Sequence, residues 1–408
     1  MNEERIITAI DVGTTKICVL VGQLAHDGSL NIIGFGQAPS AGLSRGVVVT
    51  IAPVVAALQD ALREATLSSG HTIETASVGI SGGHIRSYNS HGMVMIKHGE
   101  IREHDIDQVM KSAQSVSLPE GQQLLHAVPQ FFIVDGHDVV KNPRGMFGVR
   151  LEVKAHLIMG AVSSVQNIVR CCELAGIKVS DIILEPIASA EAVLSHDERE
   201  LGVGMLDIGG GTSDFAIYQR STVRHTYIIP IAGNVFTNDI AVCLQTTLHD
   251  AELLKKEFGM ADQHLLADNH TIEVAHVNSV DRITLLRSDL VEVLQPRTRE
   301  LLSIVGHEIE QNQLRSLMPA GLVLTGGGSL LVGLREQALD ILHMPVRRGV
   351  PLLPTTQTSI LQSPIYATGY GLLAYVARRS RESLGFSNQN TFMNRIVSRM
   401  KSWVLDIF

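Results

Sequence analysis

The sequence predicts an α/β protein of two duplicated lobes, with an inserted α+β module and an amphipathic C-terminal helix. Three observations predict it. A strand–turn–strand pattern around Asp11 returns around Asp207, residues 84–162 change character, and a basic-faced apolar stripe occupies 391–408. At 408 residues the chain suits two domains of ordinary size. Hydrophobic residues at 45% and charged residues at 18% indicate a folded chain. A net charge of -8 excludes a general nucleic-acid binder, which needs a positive field. Arg378 to Phe408 nevertheless carry six basic and two acidic residues, about +4, leaving about -12 elsewhere; this asymmetry points to an acidic partner for the tail. Cys18, Cys171, Cys172 and Cys243 show no metal or redox spacing, so a reduced, cytosolic setting is expected. Neither a signal segment nor a transmembrane run is expected.

Taken in order, Ile6–Ile10 and Ile17–Val21 predict a hairpin around a polar Gly-containing turn. Pro53–Ala65 has helical period with Pro at its start, and Ala76–Ser81 reads as a strand ending at Gly82-Gly83. The module at 84–162 holds a helix at Glu103–Val116 and strands at Phe131–Val134 and Val149–Ile158. A helix capped by Ser163 runs to Ala175, followed by a strand at Val179–Leu184 and a helix at Glu185–Leu194. The opening pattern then repeats, Asp207 matching Asp11 and Gly209 matching Gly13. Helix-rich stretches at Asn238–Glu257 and Arg282–Leu317 lead to a strand at Gly321–Leu324 and a third Gly-rich turn. A helix with small residues begins near Tyr366, and Ser380–Asn390 reads as a polar linker.

The three turns fit polyphosphate chemistry. Backbone N–H groups must face the anion, and glycine permits that approach. Gly13, Gly209, Gly210, Gly211, Gly326, Gly327 and Gly328 supply the glycines; Thr14, Thr15, Thr212, Ser213 and Ser329 add hydroxyls, and Lys16 a charge. Asp11 and Asp207 suit Mg²⁺, an oxygen-liganded ion that keeps several waters, so contact through water is expected. No P-loop or dinucleotide spacing occurs.

In this order and spacing the turns resemble the phosphate-1, phosphate-2 and adenosine motifs of the actin, chaperone and sugar-kinase superfamily. Leu184–Ala190 and Tyr366–Leu372 resemble its two connecting helices, and Ala251–Gly259 is similar to the A-E-x-x-K segment of bacterial actins. Within the superfamily the chain resembles the FtsA family of bacterial cell-division proteins over essentially its whole length. The words that carry this are Ala9–Lys16, Gly79–His84 and Ile231–Asn234 leading into Asp239–Ala241. The resemblance implies an actin-like fold of ribonuclease-H-like lobes. Its subdomains would be 1A (1–83 and 163–192), 1C (84–162), 2A (193–232 and 304–380) and 2B (233–303). It implies ATP binding that also uses Gly233, Asn234, Glu252, Lys255 and Lys256. It further implies self-association into filaments, binding of the C-terminal peptide of the tubulin-like protein FtsZ near 233–303, recruitment of downstream division proteins, and a place on the inner face of the cell inner membrane at the division site.

Glu185 stands where the superfamily orients the attacking water; a helix-capping role is the alternative. The chain is expected to be an ATP-binding adaptor and not an enzyme, a reading compatible with slow hydrolysis. From Thr391, the residues Phe392, Met393, Ile396, Val397, Met400, Trp403, Val404, Ile407 and Phe408 form one stripe along a helix about 27 Å long, with Arg395, Arg399 and Lys401 opposite. Packing on the protein's own core is one fate of such a helix. The polar linker, the basic face and the aromatics at both ends favour an anionic lipid surface. A pilus-assembly adaptor of the same fold is the nearest rival. A sugar kinase would need a substrate-side base, and a heat-shock chaperone a further domain beyond residue 380.

Overall fold

Apolar residues on both faces of a strand predict burial on both sides, and the first sheet obeys this. β1 (Arg5–Val12) is buried from Ile7 onward and pairs antiparallel with β2 (Lys16–Leu24), which pairs with β3 (Leu30–Pro39). The computed structural model describes residues 5–25, 29–277, 282–353 and 359–384. β1 therefore continues through Asp11 and Val12, and only residues 13–15 turn. The short strands β4 (Leu43–Ser44) and β5 (Val47–Val48) pair with each other before α1 (Ile51–Ser69). β6 (Thr75–Ile80) then joins β1 in parallel.

The inserted module follows as β7 (Arg86–Met95), α2 (Glu103–Gln114), β8 (Gln122–Val134), β9 (Asp138–Val140) and β10 (Arg150–Ala161). Its sheet runs β7-β10-β8-β9 and, with α2, encloses a core of its own around Ile106, Met110, Phe132 and Leu151. α3 (Val162–Leu174), β11 (Lys178–Leu184) and α4 (Glu185–Val193) complete the first half. α3 starts two residues earlier than a Ser163 cap would place it. Its N-cap is Ala161, without a side-chain cap bond, so Ser163 lies inside the helix.

The second half opens with α5 (His196–Leu201), β12 (Val203–Ile208), β13 (Ser213–Gln219) and β14 (Thr222–Ile229). α6 (Gly233–Cys243) and α7 (Leu248–Phe258) are separate helices, and α6 begins five residues before Asn238. β15 (Thr271–Ala275) and β16 (Arg282–Leu286) form a two-stranded sheet. The expected helix from Arg282 is therefore strand for five residues, because Ile283 and Leu285 alternate with exposed neighbours. α8 (Arg287–Gln311), β17 (Leu322–Thr325), α9 (Leu334–Leu342), β18 (Val346–Arg348) and α10 (Ala367–Leu384) follow. α10 extends four residues past Ser380, tied down by Arg378 to Glu191 and Arg379 to Asp181, so the linker expected from Ser380 lies at least partly in helix. The stripe at 391–408 lies outside the described residues. Among the described residues no helix is long and apolar enough to cross a membrane.

The two large sheets share one topology. The first runs β3-β2-β1-β6-β11 and the second β14-β13-β12-β17-β18, each an antiparallel three-strand meander extended by two parallel strands. This is the duplication that the repeated hairpin predicts. α4 and α10 cross between the sheets at Gly371, where a Cβ would stand 1.9 Å from the Ala188 carbonyl oxygen. Gly→Ala ordinarily stabilises a helix interior by about 1 kcal/mol. Here backbone blocks the methyl, so Gly371→Ala is expected to destabilise by about 2 kcal/mol and lower the thermal midpoint. A raised midpoint would refute this close crossing.

The inserted module also grips β14. His156 hydrogen-bonds Asn89 Oδ1 (2.8 Å) and Thr226 Oγ1 (2.9 Å), Ser87 donates to the Thr226 carbonyl, and Gln130 donates to the carbonyls of Val223 and Arg224. Burial, with His225 nearby, pushes the His156 imidazole down to about 3. An unfolded histidine titrates near ~6.5, so the neutral folded form favours folding fully above that pH and loses ground as pH falls toward about 3. Carboxyls elsewhere titrate over the same range, so comparison with His156→Gln isolates the effect. The stability advantage of wild type over the variant should shrink by about 2 kcal/mol between pH 6.5 and 5 in urea denaturation. An unchanged difference would mean that His156 is not held neutral.

Candidate functional site: three turns around a buried carboxyl cluster

Each large sheet contributes a hairpin turn to the same place. Gly13 cannot carry a side chain, because its Cβ would lie 2.8 Å from the Lys16 carbonyl oxygen. A Cβ on Gly210 would lie 2.3 Å from Thr15 Cγ2, and one on Gly211 2.3 Å from Thr14 Oγ1, so the first and second turns meet tip to tip. The third turn folds onto the end of β12. Gly326, at φ 78°, passes so near that a Cβ would lie 2.2 Å from Asp207 Oδ1. Gly328 packs on Ile208, whereas Gly327 has only Ile365 within 4 Å, at 3.8 Å. Ser329 is buried and donates to the Gly326 carbonyl at 2.7 Å, so its hydroxyl closes the turn. Ser213 likewise donates to the Ile231 carbonyl.

Gly233 and Asn234 start α6 beside the second turn, but their N–H groups already donate to the carbonyls of Gly209 (3.0 Å) and Gly210 (2.8 Å). They brace the turn. Lys255 supports them from beneath, with Nζ 2.9 Å from the Gly233 carbonyl, 2.8 Å from Thr237 Oγ1 and 2.6 Å from Glu252 Oε2. Lys256 is mostly exposed and reaches Glu252 Oε1 at 3.2 Å. Glu252 and Lys255 thus join the site through the second turn, and Lys256 stands at its rim.

Four carboxyls gather behind the turns. Asp207 accepts hydrogen bonds from Ser189 of α4 (2.5 Å) and Thr368 of α10 (3.1 Å), which ties both crossing helices to one oxygen. Asp214 accepts from Ser81 (2.8 Å), and Thr212 Oγ1 lies 3.4 Å from that serine. Burial raises Asp11 against the pull of Lys16, and raises Asp207 against its two hydroxyl donors. Burial and then Asp207 push Asp214 up to about 8. Glu185, at the first position of α4, is raised well above the carboxylate range by burial and then by Asp11, Asp214 and Asp207. Buried like charges repel, and a cation relieves them.

Two observations test whether the residues fit a magnesium–polyphosphate group. The Lys16 ammonium is buried without a hydrogen-bond partner among the described residues, which suits an incoming anion. The carboxyl oxygens suit Mg²⁺. Among the described residues no three acidic, histidine or cysteine side chains converge as a ready metal ligand set.

Sequence reasoning missed Asp214, Ser81, Ser189 and Thr368. Asp214 was within reach: it is the cross-strand partner of Asp207, as Cys18 is of Asp11, an offset of seven residues in both hairpins. The three hydroxyls come from distant elements and leave no local signal.

Residues 204–371 match the family model of the cell division protein FtsA, and residues 82–159 match that of the SHS2 domain inserted in FTSA. Over 406 residues the chain is 43% identical to the cell division protein FtsA of Pseudomonas aeruginosa, covering 98% of this chain and 97% of that protein. It is 37% identical over 410 residues to its counterpart in Escherichia coli strain K12, covering 99% and 96%. Among solved structures, the PilM-PilN type IV pilus biogenesis complex superposes with a TM-score of 0.65 at 16% identity, covering 91% of this chain and 98% of that one. MreB 5 of Spiroplasma citri bound to AMPPNP superposes at 0.56 and 15% identity, covering 94% and 100%. These likenesses establish an actin-like fold.

Proposed function

The chain belongs to the FtsA family of cell division proteins, and on that premise we propose that it is an ATP- and Mg²⁺-binding adaptor of the division machinery. It self-associates on the cytoplasmic face of the inner membrane and is tethered there by the amphipathic stretch 391–408. It holds FtsZ through that protein's C-terminal peptide near residues 233–303 and recruits further division proteins.

The convergence of the three turns on Asp207, with an unsatisfied lysine in front and four carboxyls behind, supports the nucleotide part of this reading. A bound magnesium nucleotide would supply the hydrogen-bond acceptors that the Lys16 ammonium lacks and a further positive charge beside the four carboxyls. Lys16, the backbone of Gly13–Thr15 and Gly209–Thr212, and the Thr14, Thr15 and Thr212 hydroxyls would hold phosphate. Asp11, Asp207 and Asp214 would hold the cation through water, and Gly326–Gly328 would flank the nucleoside. Glu185 would orient water. With a cation relieving the neighbouring carboxyls, an ionised Glu185 could accept a hydrogen bond from that water, and Glu185→Gln is expected to lower any ATP hydrolysis at least tenfold while analogue affinity stays within threefold. Equal hydrolysis by the variant would leave Glu185 as a helix-terminal residue only.

The division reading is tested by reconstitution. Full-length protein with ATP should recruit FtsZ filaments to anionic liposomes, and FtsZ lacking its C-terminal peptide should stay in solution. Recruitment that ignores that peptide would refute the proposed partner site. The likeness to a pilus-assembly complex is one of fold, at a TM-score of 0.65 with 16% identity, and the near full-length relatives at 37–43% identity favour division.

A further inference from the structure

Lys16 is held in an unusual way. Its buried ammonium has no hydrogen-bond partner among the described residues. Asp11 Oδ2 lies 3.8 Å away, beyond hydrogen-bond reach. The ammonium also lies over the ring of Tyr366, with Nζ 4.7 Å from the centroid. That ring is fixed by Phe35 of β3, edge-on at 5.6 Å between centroids and 83° between planes. Tyr366 stands just ahead of α10, and its neighbour Ile365 is the contact beside Gly327 of the third turn. Residues 365 and 366 therefore lie between the third turn and the lysine of the first, Ile365 beside Gly327 and Tyr366 beside Lys16.

An aromatic face attracts a cation through its quadrupole and occupies none of its N–H groups. A carboxylate in the same position would form a tight ion pair and compete with an incoming anion. We infer that Tyr366 is a positioning residue that keeps the Lys16 ammonium aimed at the outer phosphates of a nucleotide, so that the site favours di- and triphosphates over monophosphates. The inference deepens the nucleotide reading above and rests on it.

A double-mutant cycle on the full-length protein tests it, with ATP, ADP and AMP as probes in the presence of Mg²⁺. Tyr366→Leu is expected to weaken ATP and ADP roughly five- to tenfold and to leave AMP unchanged, while Tyr366→Phe keeps all three affinities. In a Lys16→Met background, Tyr366→Leu should have no further effect on ATP. The inference is overturned if Tyr366→Leu weakens AMP as much as ATP, or still weakens ATP when Lys16 is absent, since the ring then serves packing alone. A second readout needs no nucleotide. In protein with isotope-labelled lysine, one side-chain methylene resonance should be ring-current shifted, and it should be lost in both Lys16→Met and Tyr366→Leu. If no lysine is shifted, the ring does not hold the ammonium, whatever the protein binds. Failure of the wild type to bind any of the three nucleotides would instead sink the nucleotide reading, and the lysine resonance would still report on the pair.

Discussion

Gly210→Val is expected to weaken binding of a fluorescent ATP analogue at least hundredfold, about 2.7 kcal/mol or more. A Cβ at this position already stands 2.3 Å from Thr15 Cγ2 and 2.9 Å from Thr15 Oγ1. The branched side chain would force the second turn off the first and break their joint approach to phosphate. Asp207→Asn should act as strongly through another route. It removes the carboxylate that Ser189 and Thr368 share and around which Gly326 bends, and with it a charge suited to the cation. Fluorescence titration with Mg²⁺ reads both variants, with circular dichroism to establish that each is folded. Micromolar binding retained by folded Gly210→Val would put the nucleotide elsewhere.

Removal of residues 391–408 should release the protein from liposomes containing anionic lipid and leave nucleotide affinity within twofold. The three basic residues of the stretch supply only about 3 kcal/mol near an anionic surface. On the proposed function most of the affinity would come from burying Phe392, Ile396, Met400, Trp403 and Phe408 at the headgroup boundary. A single anchor of this kind would then bind reversibly, and self-association would multiply the anchors. Flotation with liposomes separates the outcomes. A truncated protein that still floats would place the membrane contact elsewhere.

How much could be read in advance follows from the range of each interaction. The two hairpins were legible because strand, aspartate and glycine turn are neighbours in sequence, and the repeat at Asp207 made the pair specific. Asp11 interrupts the apolar run and so predicts a strand ending before it; it belongs to β1, where it pairs with Cys18 across the hairpin. The helix expected at Arg282–Leu286 is a strand because its partner Thr271–Ala275 is a separate run and pairing is not local. Ser81 and Asp214 lie 133 residues apart, and Thr368 and Asp207 lie 161 apart; only the assembled sheets bring such groups together. Gly233, Asn234, Glu252 and Lys255 came from family likeness, and the structure supplies their local task of bracing the second turn.

The central claim is that residues 11–16, 207–213 and 325–329 embrace one nucleotide between twin lobes. A crystal structure with a non-hydrolysable ATP analogue and Mg²⁺ tests it most directly. The account predicts phosphates within hydrogen-bond distance of Lys16 Nζ and the Gly210–Thr212 backbone, with the cation facing Asp11 and Asp207. Nucleotide bound outside these turns, with Lys16 still against Tyr366, would contradict it.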